Sequence, residues 1–302
     1  MHTTVHAVGT LQGLGRALMT SFKRPGPVAA LAPVSLVLPR VVPDAQHIAR
    51  YAQVCGFVPS AQVPLTYPQM LTFPLVMHYM SSSVCPWPAM GTVHLANAIT
   101  QHAPLAAGDA VRVELQTGEL LAHEKGQVFT LALRVLREAS GECVWQATQT
   151  LLRVGVRSPV GKPFHLDLDL DLDPDLGAEL PLTRCGQFDA PADIGRRYAP
   201  VSGDYNPIHL WPFTAKLLGF QRAIAHGLRT QARALALLQP EGVLPQASLQ
   251  TVFKRPLLLP AQATLWQAAS PLGEQLFEVR DASGQVPHLR ARLTRNPSTA
   301  QP

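Results

Sequence analysis

RYAPVSGDYNPIHLWPFTA, residues 197–215, carries two titratable groups at its centre, Asp204 and His209. Ser202 and Gly203 precede them, and Tyr205, Asn206, Pro207 and Ile208 lie between. Gly203 accepts backbone angles that other residues resist, so the chain can turn there. Pro207 fixes its own φ and steers Asn206 away from helical angles. The segment is therefore expected to be a stiff, kinked loop and not a helix. Five residues apart on such a loop, a carboxylate and an imidazole can face one cavity, which acid–base chemistry on a small molecule requires.

Outward from this loop the pattern is regular. On its N-terminal side, LTRCGQFDA (182–190) reads as a strand and PADIGRRYA (191–199) as a helix start, with Pro191 suited to a first turn. On its C-terminal side, AHGLRTQARALALLQP (225–240) places Leu228, Ala232 and Leu235 on one stripe, the mark of a largely buried helix. Pro240 and Gly242 end it. Four β-like runs follow, ASLQTVFK, ATLWQAAS, EQLFEVRDA and VPHLRARLTR.

The first half has the same plan. VSLVLPRVV (34–42) reads as a strand, and AQHIARYAQVCG as a helix with Ile48, Ala52 and Cys55 on one face. MLTFPLVMHYM (70–80) reads as a second helix, kinked at Pro74, and four strands separated by turn signals close the half near residue 156. RYAQVCG (50–56) matches RYAPVSG (197–203) at a constant offset, which suggests a duplicated α+β domain. Continuing that register sets Phe57 opposite Asp204, Pro59 opposite Asn206 and Gln62 opposite His209. The first copy thus lacks every ionisable member. It offers apolar side chains such as Phe57, Met70, Phe73 and Met77 for a tail-binding groove.

Composition narrows the classes further. The chain has 302 residues, 47% of them hydrophobic, with a net charge of +5. Lys and Arg are dispersed and form no long run, which argues against nucleic acid as partner. No apolar run is long enough to span a bilayer. Cys55, Cys85, Cys143 and Cys185 form no CxxC pair, so they are read as reduced thiols of a cytoplasmic protein. No acid precedes Asp44, and residues 1–33 are expected to be a loosely ordered basic arm. Residues 157–181 read as a linker holding the tract LDLDLDLDPDL (166–176), and the tail after Asn296 as disordered.

The string from Tyr198 through Asp204, Asn206 and His209 to Ala215, with Ala-His-Gly at 225–227, resembles the signature of the MaoC-like, (R)-specific enoyl-CoA hydratase family. The resemblance implies a double hot-dog fold, in which each of two tandem domains wraps an antiparallel sheet around a long helix. The expected boundaries are 1–156 for an N-terminal domain without the catalytic pair and 182–302 for the catalytic one. It implies an acyl thioester of CoA or acyl-carrier protein as substrate and no cofactor. It implies that Asp204 and His209 hold a catalytic water, with the Gly227 amide as oxyanion donor. Single hot dogs pair, so the two copies are expected to pair internally, which leaves a further homodimer open.

The residue chemistry points the same way. Adding water across a 2,3-double bond conjugated to a thioester needs a base for the water, an acid for C2 and a donor for the enolate-like oxygen. Asn206 is read as a brace for the loop, Ser202 as a structural hydroxyl, and Tyr198 as either packing or a site hydroxyl. His226 is read as structural. Asp204 and His209 could be two metal ligands, but no third stands at a suitable spacing, so no metal is expected. Arg222, Arg229, Arg233, Lys254 and Arg255 are candidates for the phosphates of CoA or for an acidic carrier. Two other readings compete with the hydro-lyase: a non-catalytic acyl-thioester-binding protein, and a dehydratase dedicated to a branched or dicarboxylic acyl-CoA.

Overall fold

The computed structural model describes residues 3–4, 26–60, 62–165, 181–269 and 274–295. Most of the basic arm, the Leu–Asp tract and the tail lie outside the described residues. The described residues form two compact units. One takes those within Met1–Pro43, Pro68–Asn97 and Gly108–Leu166, and the other those within Asp44–Tyr67, Ala98–Ala107 and Asp167–Pro302. The helix carrying the first RYA repeat therefore belongs to the unit that holds the motif.

The elements are β1 (Ser35–Val41), α1 (Ala45–Cys55), α2 (Pro68–Ser81), β2 (Thr92–Gln101), β3 (Val111–His123), β4 (Gly126–Arg137) and β5 (Cys143–Val154). There follow β6 (Thr183–Ala190), α3 (Ile194–Ser202), α4 (Pro207–Leu210), α5 (Pro212–Leu217), α6 (Gly227–Leu238), β7 (Ala247–Phe253), β8 (Ala261–Ala269), β9 (Gln275–Asp281) and β10 (Pro287–Arg295). In the first half of the chain the strands lie in the order β1-β3-β4-β5-β2, and in the second half β6-β8-β9-β10-β7. Numbered within each half, both orders are 1-3-4-5-2. The pairs β1/β3, β3/β4 and β4/β5 are antiparallel, as are β6/β8, β8/β9, β9/β10 and β10/β7. This is the helix-bearing antiparallel sheet of the hot-dog fold, made twice.

Each sheet has a helix against it. In the first unit α2 packs on β1, β3 and β4. Its sequence is apolar nearly all round, and Leu71, Leu75 and Tyr79 are buried. Met70 is buried with them, while Phe73 and Met77 are half-buried. In the second unit α6 lies along β7: the Gln231 amide donates to Thr251 Oγ1 over 2.9 Å. Along β10, Leu289, Ala291 and Leu293 alternate inward, the period of a strand with one face on the core.

The two RYA repeats occupy equivalent places. α1 ends at Cys55, and Gly56 follows at φ 84°, its N–H donating to Ala52 O over 2.7 Å. α3 ends at Ser202, and Gly203 follows at φ 77°, donating to Ala199 O over 2.8 Å. Both glycines are left-handed helix stops, where a side chain would be strained. This corrects the expectation of a loop across 197–215. Helix α3 runs through Pro200 to Ser202, residues 203–206 are non-helical, α4 begins at Pro207, and Trp211 alone separates α4 from α5. Proline there is a helix start, since the first turn has no use for its missing N–H.

Candidate active site

Helix α3 sets the base of the site. Ser202 at its end donates its hydroxyl to Tyr198 O over 3.1 Å and accepts the Asp204 N–H over 3.1 Å. These two bonds tie the end of α3 to the turn that follows it. Asp204 Oδ1 accepts the Asn206 N–H over 3.1 Å, closing a tight turn. Asn206 caps α4, its side-chain oxygen accepting the Ile208 N–H over 3.4 Å. With Oδ1 held by the turn, Asp204 Oδ2 is the oxygen left to face the imidazoles.

His209 sits in the single turn of α4, and its Nδ1 lies 2.8 Å from Ile224 O. A carbonyl only accepts, so Nδ1 carries the proton and Nε2 carries the lone pair. Nε2 lies 3.9 Å from Asp204 Oδ2. Sequence reasoning assigned no site role to His226, the residue before α6. Its Nε2 lies 3.1 Å from Asp204 O and 3.8 Å from Asp204 Oδ2. Its ring stacks on that of His209, with centroids 3.8 Å apart, and meets the Tyr198 ring at 5.0 Å. By the same logic His226 Nε2 is the donor. The signal available in the sequence was the adjacency of His226 to Gly227, the expected oxyanion donor.

Asp204, His209 and His226 thus supply three groups whose ligand atoms lie within 4.8 Å of one another, which corrects the expectation that no third ligand is near. The spacing decides what they suit. Two donors 3.8–3.9 Å apart subtend about 140° at a metal bonded at roughly 2.0–2.1 Å, well beyond a tetrahedral angle. The same donors subtend about 90° at a water held at roughly 2.8 Å, an ordinary hydrogen-bond arrangement. The pair Asp204 Oδ2 and His209 Nε2 is spaced for a water.

Burial fixes the protonation states. It lowers the pKa of His209, outweighing the opposing pull of Asp204 and the Ile224 carbonyl. His226 falls to about 3, first from burial and then from its neighbour His209. Both rings are therefore neutral near pH 7. Burial pushes the Tyr198 phenol well above its ordinary value, so that hydroxyl keeps its proton.

These depressed values predict how stability depends on pH. Below about pH 6.5 an unfolded chain protonates both imidazoles. The folded chain holds both neutral further down, His226 to about 3. The unfolded state then binds more protons, so stability is complete above that window and is lost as pH falls through it. The expected slope is up to about 1.4 kcal/mol per pH unit for each ring. Urea midpoints should drop between about pH 7.5 and pH 5, and the His209→Asn, His226→Asn double variant should flatten that drop. A wild-type midpoint that does not move over this range contradicts the assignment.

Gly227 begins α6, where the first N–H groups have no acceptor within the helix and the helix dipole favours negative charge. A Cβ at Gly227 would stand 3.0 Å from the Phe253 ring, so a side chain could enter only by moving that ring. The basic candidates divide. Arg222, Lys254 and Arg255 are exposed, and Arg233 is half-buried. Arg229 is 5% exposed, and its Nη2 donates to Val54 O over 3.5 Å, at the C-terminal turn of α1. It serves the end of a helix, where carbonyls and the dipole attract a cation, and is not open to a phosphate.

A family profile described as MaoC like domain matches residues 170–254. The chain is 39% identical over 251 residues to 3-hydroxyacyl-thioester dehydratase X of Mycobacterium tuberculosis, covering 83% of this chain and 85% of that protein. It is 30% identical over 148 residues to the peroxisomal enoyl-CoA hydratase 2 of Arabidopsis thaliana, 47% of each chain. The crystal structure of HtdX of Mycobacterium tuberculosis superposes with a TM-score of 0.72 at 32% identity, covering 86% of this chain and 98% of that one.

Proposed function

This chain belongs to the MaoC-like dehydratase family and is a hydro-lyase of 3-hydroxyacyl thioesters, and we propose that Asp204 and His209 carry its proton transfers with Gly227 as oxyanion donor. The observation that carries the site assignment is the pairing of Asp204 Oδ2 with the bare Nε2 of a neutral, buried His209, 3.9 Å apart. In hydration, a water between these atoms gives up a proton to the pair as its oxygen bonds to C3 of a trans-2-enoyl thioester. Electrons move onto the thioester oxygen, where the Gly227 N–H and the α6 dipole stabilise them. Such a donor is worth about 3 kcal/mol in other enzymes. The pair then returns a proton to C2, giving the (R)-3-hydroxyacyl thioester; dehydration is the reverse.

Ser202, Asn206 and Tyr198 support this arrangement. The first two fix the turn by the bonds described above, and Tyr198 packs against His226 with its hydroxyl protonated. We assign the first half, 1–156, to an inactive copy, 157–181 to a linker and 182–302 to the active copy; the repeated 1-3-4-5-2 strand order supports this division. The thioester is carried by CoA or by a carrier protein. Four free cysteines support a reducing compartment, the cytoplasm. Among the described residues no helix is long and apolar enough to cross a membrane.

The test is to incubate the full chain with trans-2-enoyl-CoA esters of several lengths and resolve the product on a chiral column. The (R)-3-hydroxyacyl-CoA is expected. An (S) product, or no turnover at any length, sinks the proposal.

A further inference from the structure

Among the described residues, every exposed large hydrophobic side chain other than a valine lies between Trp211 and Leu218. Trp211 is 45% exposed, Phe213 63%, Leu217 82% and Leu218 40%. Exposed apolar side chains gathered in one place mark an interaction site, whereas scattered ones do not. The display is built and not frayed. Ala215 is fully buried beneath it. Thr214 Oγ1 donates to Pro207 O over 2.7 Å, fixing α5 to α4, the turn that carries His209. Arg196 lies over the Trp211 ring at 3.9 Å and donates to Leu210 O over 2.8 Å.

The charge within this segment has one sign. No Asp or Glu occurs between Asp204 and Glu241. Lys216 and Arg222 are exposed beside the apolar residues. The surface therefore asks for a partner that is both apolar and acidic. A second copy of this chain would set Lys216 and Arg222 against cations of the same kind, because a two-fold contact matches a patch with itself. CoA offers phosphates to the cations but cannot cover Phe213 and Leu217. An anionic bilayer satisfies both demands but delivers no thioester to the adjacent His209.

We infer that the face formed by Trp211, Phe213, Lys216, Leu217, Leu218 and Arg222 docks an acidic carrier domain that presents the acyl thioester to the site. This inference rests on the hydro-lyase reading for its substrate and on the patch itself for its location. Its hot spots are Phe213 and Leu217, large side chains with most of their surface still to be buried. Lys216 and Arg222 speed and orient the encounter, so binding weakens with salt.

The experiment uses the full chain, a fluorescently labelled acidic acyl-carrier protein bearing a crotonyl thioester, and crotonyl-CoA. Phe213→Glu and Leu217→Glu should each bind the carrier at least about 10-fold more weakly by anisotropy. Each should raise KM for the carrier substrate by a similar factor and leave kcat/KM for crotonyl-CoA within about two-fold. Carrier binding unchanged in both variants overturns the inference, and so does a parallel loss on both substrates. A dimer-to-monomer shift of the variants in gel filtration assigns the face to self-association instead. Patch-dependent co-sedimentation with phosphatidylglycerol vesicles, with no carrier binding, assigns it to a bilayer. Patch-dependent carrier binding without hydration of either thioester supports the docking face and sinks the hydro-lyase reading alone.

Discussion

Asp204→Asn should lower kcat/KM for crotonyl-CoA hydration by about 10³-fold or more while leaving the thermal midpoint within a few degrees. The side-chain oxygen that accepts the Asn206 N–H survives in the amide, so the 203–206 turn keeps its shape. What is lost is the second oxygen, the one facing both imidazoles at 3.8–3.9 Å. An amide nitrogen there cannot take a proton, and positioned acid–base groups are worth roughly 10²–10⁴-fold. His209→Ala removes the other half of the pair and should cost a similar factor. Because the two groups act on one water, the double variant should be little worse than either alone, as with other residues that work as a unit. Multiplicative losses in the double variant would mean that the two act in separate steps. Near wild-type activity in Asp204→Asn would remove the carboxylate from the reaction.

The sequence showed the elements well because burial and periodicity agree in them. The helix expected from 225 to 240 is α6, and each of the expected strand runs is a strand to within a few residues. It misjudged the motif because two rules competed at the same residues. Gly203 and Pro207 were read as breakers within one loop, but they mark helix ends: Gly203 stops α3 and Pro207 starts α4. Pro200 is carried inside α3 despite the cost that proline imposes on a helix interior, because that helix is held on both sides, by α1 and by α4. Asp204 and His209 were legible as a pair, since their type and spacing are local facts. His226 was not, because its tie to Asp204 spans 22 residues and depends on how α6 approaches the turn. The burial of Arg229 was equally hidden: the Val54 carbonyl it serves lies 175 residues away.

Gly195→Ala should lower both activity and stability, against what helix propensity predicts. Gly195 is the second residue of α3, and alanine is favoured over glycine in a helix by up to about 1 kcal/mol. A Cβ at this position would stand 1.9 Å from His209 O and 2.8 Å from His209 C. Carbon and oxygen pack no closer than about 3.3 Å, so the backbone of α3 or α4 must move by more than 1 Å. Neither yields cheaply, since α4 is pinned by the Ile224 N–H donating to Ile208 O over 3.0 Å and by the His209 ring bond. Overpacking of this kind costs about 1–3 kcal/mol, which exceeds the propensity gain. A catalytic group displaced by about 1 Å loses on the order of 10²-fold in rate. The expected outcome is therefore a kcat/KM about 10²-fold down and a lower urea midpoint. Gly186→Ala is the control: its Cβ would meet side-chain atoms at 3.8–4.0 Å, ordinary contact, and both readouts should stay near wild type. A Gly195→Ala protein that is fully active and more stable would show that His209 does not depend on the close approach of α3.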